Sequence, residues 1–146
     1  MNIYRILGFF IVALLASCSQ ADNGVVISNA WVRATAPGQE VGAAYMTLQS
    51  ARDTTLIKTE SAAAGSVEIH SMTMNNGVMQ MRMMDTLPLS AGKPTKLEPG
   101  GFHLMLFDLK KPLKAGEQVE FTLHFKDGAG KTSVMKLSAP IKAGSD

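Results

Sequence analysis

The sequence predicts an all-β domain, an antiparallel sandwich or small barrel of about eight strands. Two observations carry this. Beyond residue 18 no apolar pattern keeps a helical period over a helix-length run. Instead, short runs of alternating apolar and polar residues are broken by turn signals about every eight to twelve residues.

The elements follow in order. Val25 to Val32 reads as the first strand and "GAAYMTLQS" (Gly42 to Ser50) as the second. "TTLIKTE" follows a turn at Ala51 to Asp53. "GSVEIHSM" and "VMQMRMMD" flank Asn75-Asn76-Gly77. "FHLMLFDL" follows "EPGG", "EQVEFTLHF" follows "KAG", and "KTSVMKLS" follows "KDGAG". In the strand through Val119 to Phe125, Val119, Phe121, Leu123 and Phe125 share one face, the core face. Glu120, Thr122 and His124 share the other, which puts His124 on the wet side. Phe102, Leu104 and Leu106 line up as core, and Trp31 is assigned to the core as well.

The chain has 146 residues, the length of one domain, and is 46% hydrophobic and 18% charged, as a globular protein is. The first 17 residues stand apart. Arg5 supplies a positive charge, and Ile6 to Leu15 is an apolar run too short to span a bilayer. Leu15, Ala16, Ser17 and Cys18 then resemble the lipobox of bacterial lipoproteins. The resemblance implies a signal peptide over 1–17, cleavage before Cys18 and lipidation of that thiol, the single cysteine of the chain. Residues 18–24 become a lipidated tether and 25–142 the folded domain. A lipid-anchored protein of the cell envelope, in the periplasm, follows. Ser19 is not the aspartate that retains lipoproteins in the inner membrane, which favours the outer one. A disulfide and a thiolate metal site are both excluded once Cys18 is acylated.

Removing Arg5 leaves 13 Lys+Arg against 12 Asp+Glu, a net charge of about +1. With no basic run, the composition gives no support to nucleic-acid binding. No nucleophilic triad, phosphate loop or paired-carboxylate motif emerges, so no enzyme is expected.

The stretch "HSMTMNNGVMQMRMM" (His70 to Met84) carries one histidine and six methionines. Asn76-Gly77 is a strong two-residue hairpin signal, because both residues tolerate positive φ. A hairpin centred there pairs Met74 with Met79, Met72 with Met81 and His70 with Met83, all on one face. His103 and Met105, two apart in a later strand, also share a face. Methionine fills irregular cores, and packing or a docking surface would explain the thioethers alone. It would not explain two histidines among them, since methionine offers imidazole little hydrogen bonding. Imidazole with thioether suits copper, and Cu(I) in particular. Zinc favours thiolate or carboxylate beside histidine, and calcium needs oxygens.

His70, ten residues, Met81, twenty-one residues, then His103-Leu104-Met105 fits the H-X10-M-X21-H-X-M pattern. On this motif, and on "AWVRATAPGQEVGAAYMTL" and "LEPGGFHLMLFDLKKPLKAGE", the chain resembles the PCuAC family of periplasmic copper chaperones. The resemblance implies a cupredoxin-like or immunoglobulin-like Greek-key sandwich that binds one Cu(I) through His70, Met81, His103 and Met105. It places Met72 beside the motif as a neighbour. It implies a copper-accepting partner, such as the CuA-bearing subunit of cytochrome c oxidase or another copper-assembly protein. The tail "APIKAGSD" lacks the His and Met that some relatives carry there. Two other readings stay open on the residues: copper buffering for tolerance, and a non-metal lipoprotein that docks through its methionine face.

Overall fold

The computed structural model describes residues 24–144. The proposed leader, Cys18 and nearly all of the tether lie outside them. Ten strands account for the regular structure: β1 (Val25–Arg33), β2 (Gly42–Ser50), β3 (Thr54–Glu60), β4 (Ala64–Asn75), β5 (Val78–Met84), β6 (Leu87–Leu89), β7 (Thr95–Leu97), β8 (His103–Leu109), β9 (Gln118–Asp127) and β10 (Thr132–Lys142).

Seven of them close a barrel in the order β4-β8-β2-β1-β10-β9-β3, with the ring completed by Thr59 of β3 against Val67 of β4. β1 and β10 run parallel where Val32 meets Ile141, and the other pairings are antiparallel. The chain crosses the barrel between β2 and β3 and between β8 and β9, so neighbours in sequence are not always neighbours in the sheet. β5, β6 and β7 lie off this ring, on β4, β3 and β2.

The eight expected strands are all present, and all-β is the observed class. β6 and β7 are additional. Each is three residues long, too short to show an alternation. Pro88 in β6 is tolerated because that strand is the edge beyond β3.

The core fills the barrel interior. Phe121, Leu123 and Phe125 of β9 meet Leu104 and Leu106 of β8, Leu48 of β2 and Leu56 of β3, all essentially without solvent exposure. Burying side chains of this size contributes roughly 1.5–3 kcal/mol each. Phe102 packs against this cluster while partly exposed.

Trp31 corrects the sequence expectation. Simple alternation from Val25 through Ile27 would turn it inward. Asn29 has φ 52° and forms a bulge, so three steps along β1 from Ser28 to Trp31 oppose two along β2 from Thr47 to Tyr45. One extra residue reverses the parity of the strand. Val32 therefore enters the core, and Trp31 turns outward onto Tyr45, with ring centroids 4.6 Å apart.

Candidate metal centre

The outer face of β5, β4 and β8 carries the candidate donors. The hairpin forms in the expected register: His70 opposite Met83, Met72 opposite Met81, Met74 opposite Met79. Asn76 at φ 50° and Gly77 at φ 76° make its two-residue turn, a conformation glycine adopts without strain. On the other side of β4, His70 is the direct partner of His103 and Glu68 is the partner of Met105. Leu104 and Leu106 point into the core, so His103 and Met105 point out, onto the face that holds His70.

The two imidazoles are the buried centre of this face. His70 is 8% exposed and His103 4%, and their rings lie 5.8 Å apart at 41°. Phe107 closes the other side of His70 at 5.9 Å. Met105 flanks the pair half-buried, one row towards Glu68. Met81 flanks it on the opposite diagonal, one row towards the hairpin tip, and is 50% exposed. Met72 lies between Met81 and the histidine pair, half-buried.

Each ring is held by one nitrogen. His70 Nε2 lies 2.8 Å from Glu68 Oε2. A carboxylate only accepts, so Nε2 carries the proton and donates. That leaves the lone pair on Nδ1, which is buried and has no hydrogen-bond partner. His103 Nδ1 donates to the Gly101 carbonyl at 3.0 Å, which leaves its Nε2 with the lone pair. The same carbonyl accepts the Met72 N–H at 3.1 Å, so it ties the "EPGG" turn to β4 and orients His103 in one step. A ring that donates one N–H to a carboxylate or carbonyl and keeps its other nitrogen free of a hydrogen-bond partner is the arrangement of metal-binding histidine. An orphaned buried nitrogen costs roughly 1–3 kcal/mol, a cost an incoming ion would remove.

Among the described residues no three His, Cys, Asp or Glu side chains form a metal-binding group. Beyond the two imidazoles this face offers the thioethers of Met72, Met81, Met83 and Met105, a set that suits a soft ion such as Cu(I), and the Glu68 carboxylate, which the His70 Nε2–H occupies.

The sequence reading did not identify Glu68 or Gly101, and it paired Met83 with His70 without counting it among the ligands. Glu68-X-His70 in a strand puts both side chains on one face, and that spacing was a usable signal. Gly101 acts through its carbonyl, which no side-chain pattern reveals. Met83 is closer to His70 in the ladder than Met81 is.

Fold and donors together define a small β-barrel domain with a soft-donor face built around two oriented imidazoles. The chain belongs to the LpqE-like family, whose model matches residues 25–141. A relative from Leifsonia xyli subsp. xyli, Lxx21020, named as a lipoprotein, is 34% identical over 124 residues, covering 84% of this chain and 72% of the relative. The copper-bound PCuAC domain from PmoF2 superposes with a TM-score of 0.66 at 27% identity, over 83% of this chain and 94% of that domain. The Cu(I) form of DR1885 from Deinococcus radiodurans gives 0.56 at 33% identity, over 86% of this chain and 83% of that one. The resemblance to PCuAC domains is borne out by these structures, and the all-β fold with it.

Proposed function

We propose that this protein is a copper chaperone of the cell envelope that binds one Cu(I) through His70, Met81, His103 and Met105 and passes it to a copper-accepting protein. The observation that carries the reading is the buried, unpartnered Nδ1 of His70 beside the oriented ring of His103, with thioethers on the same face. The copper held by the PmoF2 and DR1885 domains supports the identity of the ion. The role is carriage rather than catalysis, and copper is the cargo.

The exposures give the transfer an order. Met81 is 50% exposed while His70 and His103 are nearly closed off. An acceptor reaches the ion from the Met81 side, replaces that thioether first, and meets the imidazoles last. All four donors are neutral, so no charge is left behind when the ion leaves. The acceptor in this proposal is a CuA-bearing oxidase subunit or another copper-assembly protein. The anchor is the lipid on Cys18, after removal of residues 1–17, with 18–24 as the tether and the outer membrane as the attachment site. The LpqE-like family and the lipoprotein name of the Leifsonia relative support it.

X-ray absorption on the full chain, loaded anaerobically in detergent with one equivalent of Cu(I), tests the site. That first ion is expected to have both nitrogen and sulfur neighbours, with its affinity falling by more than about 10-fold in His103→Ala and Met81→Ala, the scale for disturbing such a site. Copper binding unchanged by both substitutions would overturn the ligand assignment.

A further inference from the structure

The hairpin runs on past the histidines, and its outer half is chemically unlike the rest of the barrel surface. Met74 is 68% exposed and Met79 48%, and they are direct cross-strand partners. Met72 lies two residues back along β4 on the same face. The opposite face of the hairpin carries Ser71, Thr73, Gln80 and Arg82, with the exposed Val78 beside the turn. The methionines do not serve the core: the packed cluster takes Met46, Met84 and Met135 and none of these three. Exposed strand positions favour threonine and β-branched or aromatic residues, so propensity does not call for methionine here.

Directly paired residues hold their Cβ atoms about 4.5–5.5 Å apart, and the next row is about 7 Å away. Thioether side chains with three free torsions span those distances and can converge. Met74 is four residues beyond His70, so the tip lies about 13 Å along the strand from the imidazoles, at 3.3 Å per residue. One ion cannot be shared over that distance.

We propose that Met72, Met74 and Met79 form a second Cu(I) site, made only of thioethers, at the tip of the β4–β5 hairpin. It rests on the copper reading of the histidine face and goes beyond it. Three neutral sulfur donors accept Cu(I) and reject Zn(II) and Cu(II), which require harder or charged ligands. Lacking an oriented imidazole, the tip binds more weakly than the buried pair. An ion captured there sits one row from Met81, the exposed ligand of the inner site, so the tip is an entry and exit step for the inner site. Copper moves between neutral ligand sets with no redox change and no proton released.

The test is an anaerobic Cu(I) titration of the full chain in detergent against a chromophoric Cu(I) chelator, with X-ray absorption on each loaded form. Wild type is expected to bind two ions. The double variant Met74→Ala/Met79→Ala is expected to bind one, with nitrogen and sulfur neighbours. His103→Ala is expected to retain the tip ion, with sulfur neighbours only. Both tip residues are exposed, so the double variant keeps the fold, which circular dichroism checks. A single ion in wild type, unchanged in the double variant, would overturn the tip site and leave the histidine site standing. No stoichiometric copper in wild type would overturn both.

Discussion

Two histidine–glutamate pairs lie on the outer surface of the barrel, and they differ in what stands behind the hydrogen bond. His70 Nε2 meets Glu68 at 2.8 Å, and His124 Nε2 meets Glu60 at 2.7 Å. The imidazole side chain is 11% exposed in the first pair and 28% in the second. Behind His70 are a second buried ring, a phenyl ring and a row of thioethers, and its remaining nitrogen has no partner. Beside His124 the strand partners are Lys58 and the exposed Val134, and Lys58 also binds Glu60 at 2.7 Å. A cation beside an imidazole opposes a metal ion. The glutamate therefore does different work in each place. In one it orients a ring whose other nitrogen has no partner, and in the other it neutralises a surface lysine. A histidine–carboxylate contact acquires meaning from the second nitrogen and from the donors around it.

The strongest test of that contrast removes each carboxylate in turn. Glu68→Ala frees the His70 ring to rotate and to change tautomer, and Cu(I) affinity is expected to fall about 10-fold. Glu60→Ala is expected to leave affinity within twofold of wild type. Glu68→Gln retains an acceptor oxygen for Nε2–H, so it should recover most of the loss. Competition titrations with a Cu(I) chelator measure all three. Equal losses at Glu60 and Glu68 would show that the contrast is one of surface charge and not of ring orientation.

A second test uses stability. The unpartnered Nδ1 of His70 is a standing cost to the metal-free fold. His70→Leu replaces the ring with an apolar side chain against Phe107 and leaves Glu68 in reach of water. We expect the metal-free variant to be more stable by about 1 kcal/mol, or about 4 °C in thermal midpoint, while losing the inner copper site. His124→Leu breaks a satisfied pair and gains nothing. A His70→Leu protein no more stable than wild type would mean that Nδ1 is already satisfied by water.

Much of this contrast was legible before any coordinates. The hairpin register followed from Asn76-Gly77 and two-residue alternation, so every methionine pairing in β4 and β5 is found where expected. The wet face of β9 likewise followed from Val119, Phe121, Leu123 and Phe125. What could not be read was pairing between distant segments. That His70 and His103 are direct partners depends on β4 lying beside β8, which no local pattern encodes. The PCuAC motif implied their proximity without supplying the mechanics. Trp31 was misplaced because a single asparagine in the left-handed region reversed a strand, and asparagine in a strand carries no unambiguous bulge signal. Glu68 acts through His70 and not as a soft donor, so only its two-residue spacing from that histidine signals its role.

The smallest expected effect belongs to the surface pair. The Lys58 ammonium, first, and His124, second, hold the Glu60 carboxyl below its ordinary value of 4.5, against the opposing effect of desolvation. A carboxyl depressed in the folded state stabilises the fold above its unfolded value, and that contribution disappears as the pH falls through the folded one. Wild type should therefore be slightly more stable than Glu60→Gln near neutrality. The two urea midpoints should converge as the pH drops below about 4.5. Both groups are well exposed, so salt should shrink the difference as well. Copper affinity should be the same in the two proteins at neutral pH, because the ion pairs and side-chain hydrogen bonds of Lys58, Glu60 and His124 are with one another and not with Glu68, His70 or His103. A midpoint difference that grew in acid would show that Glu60 is strained by its neighbours and not held by them, and would remove the basis for treating this pair as an ordinary surface ion pair.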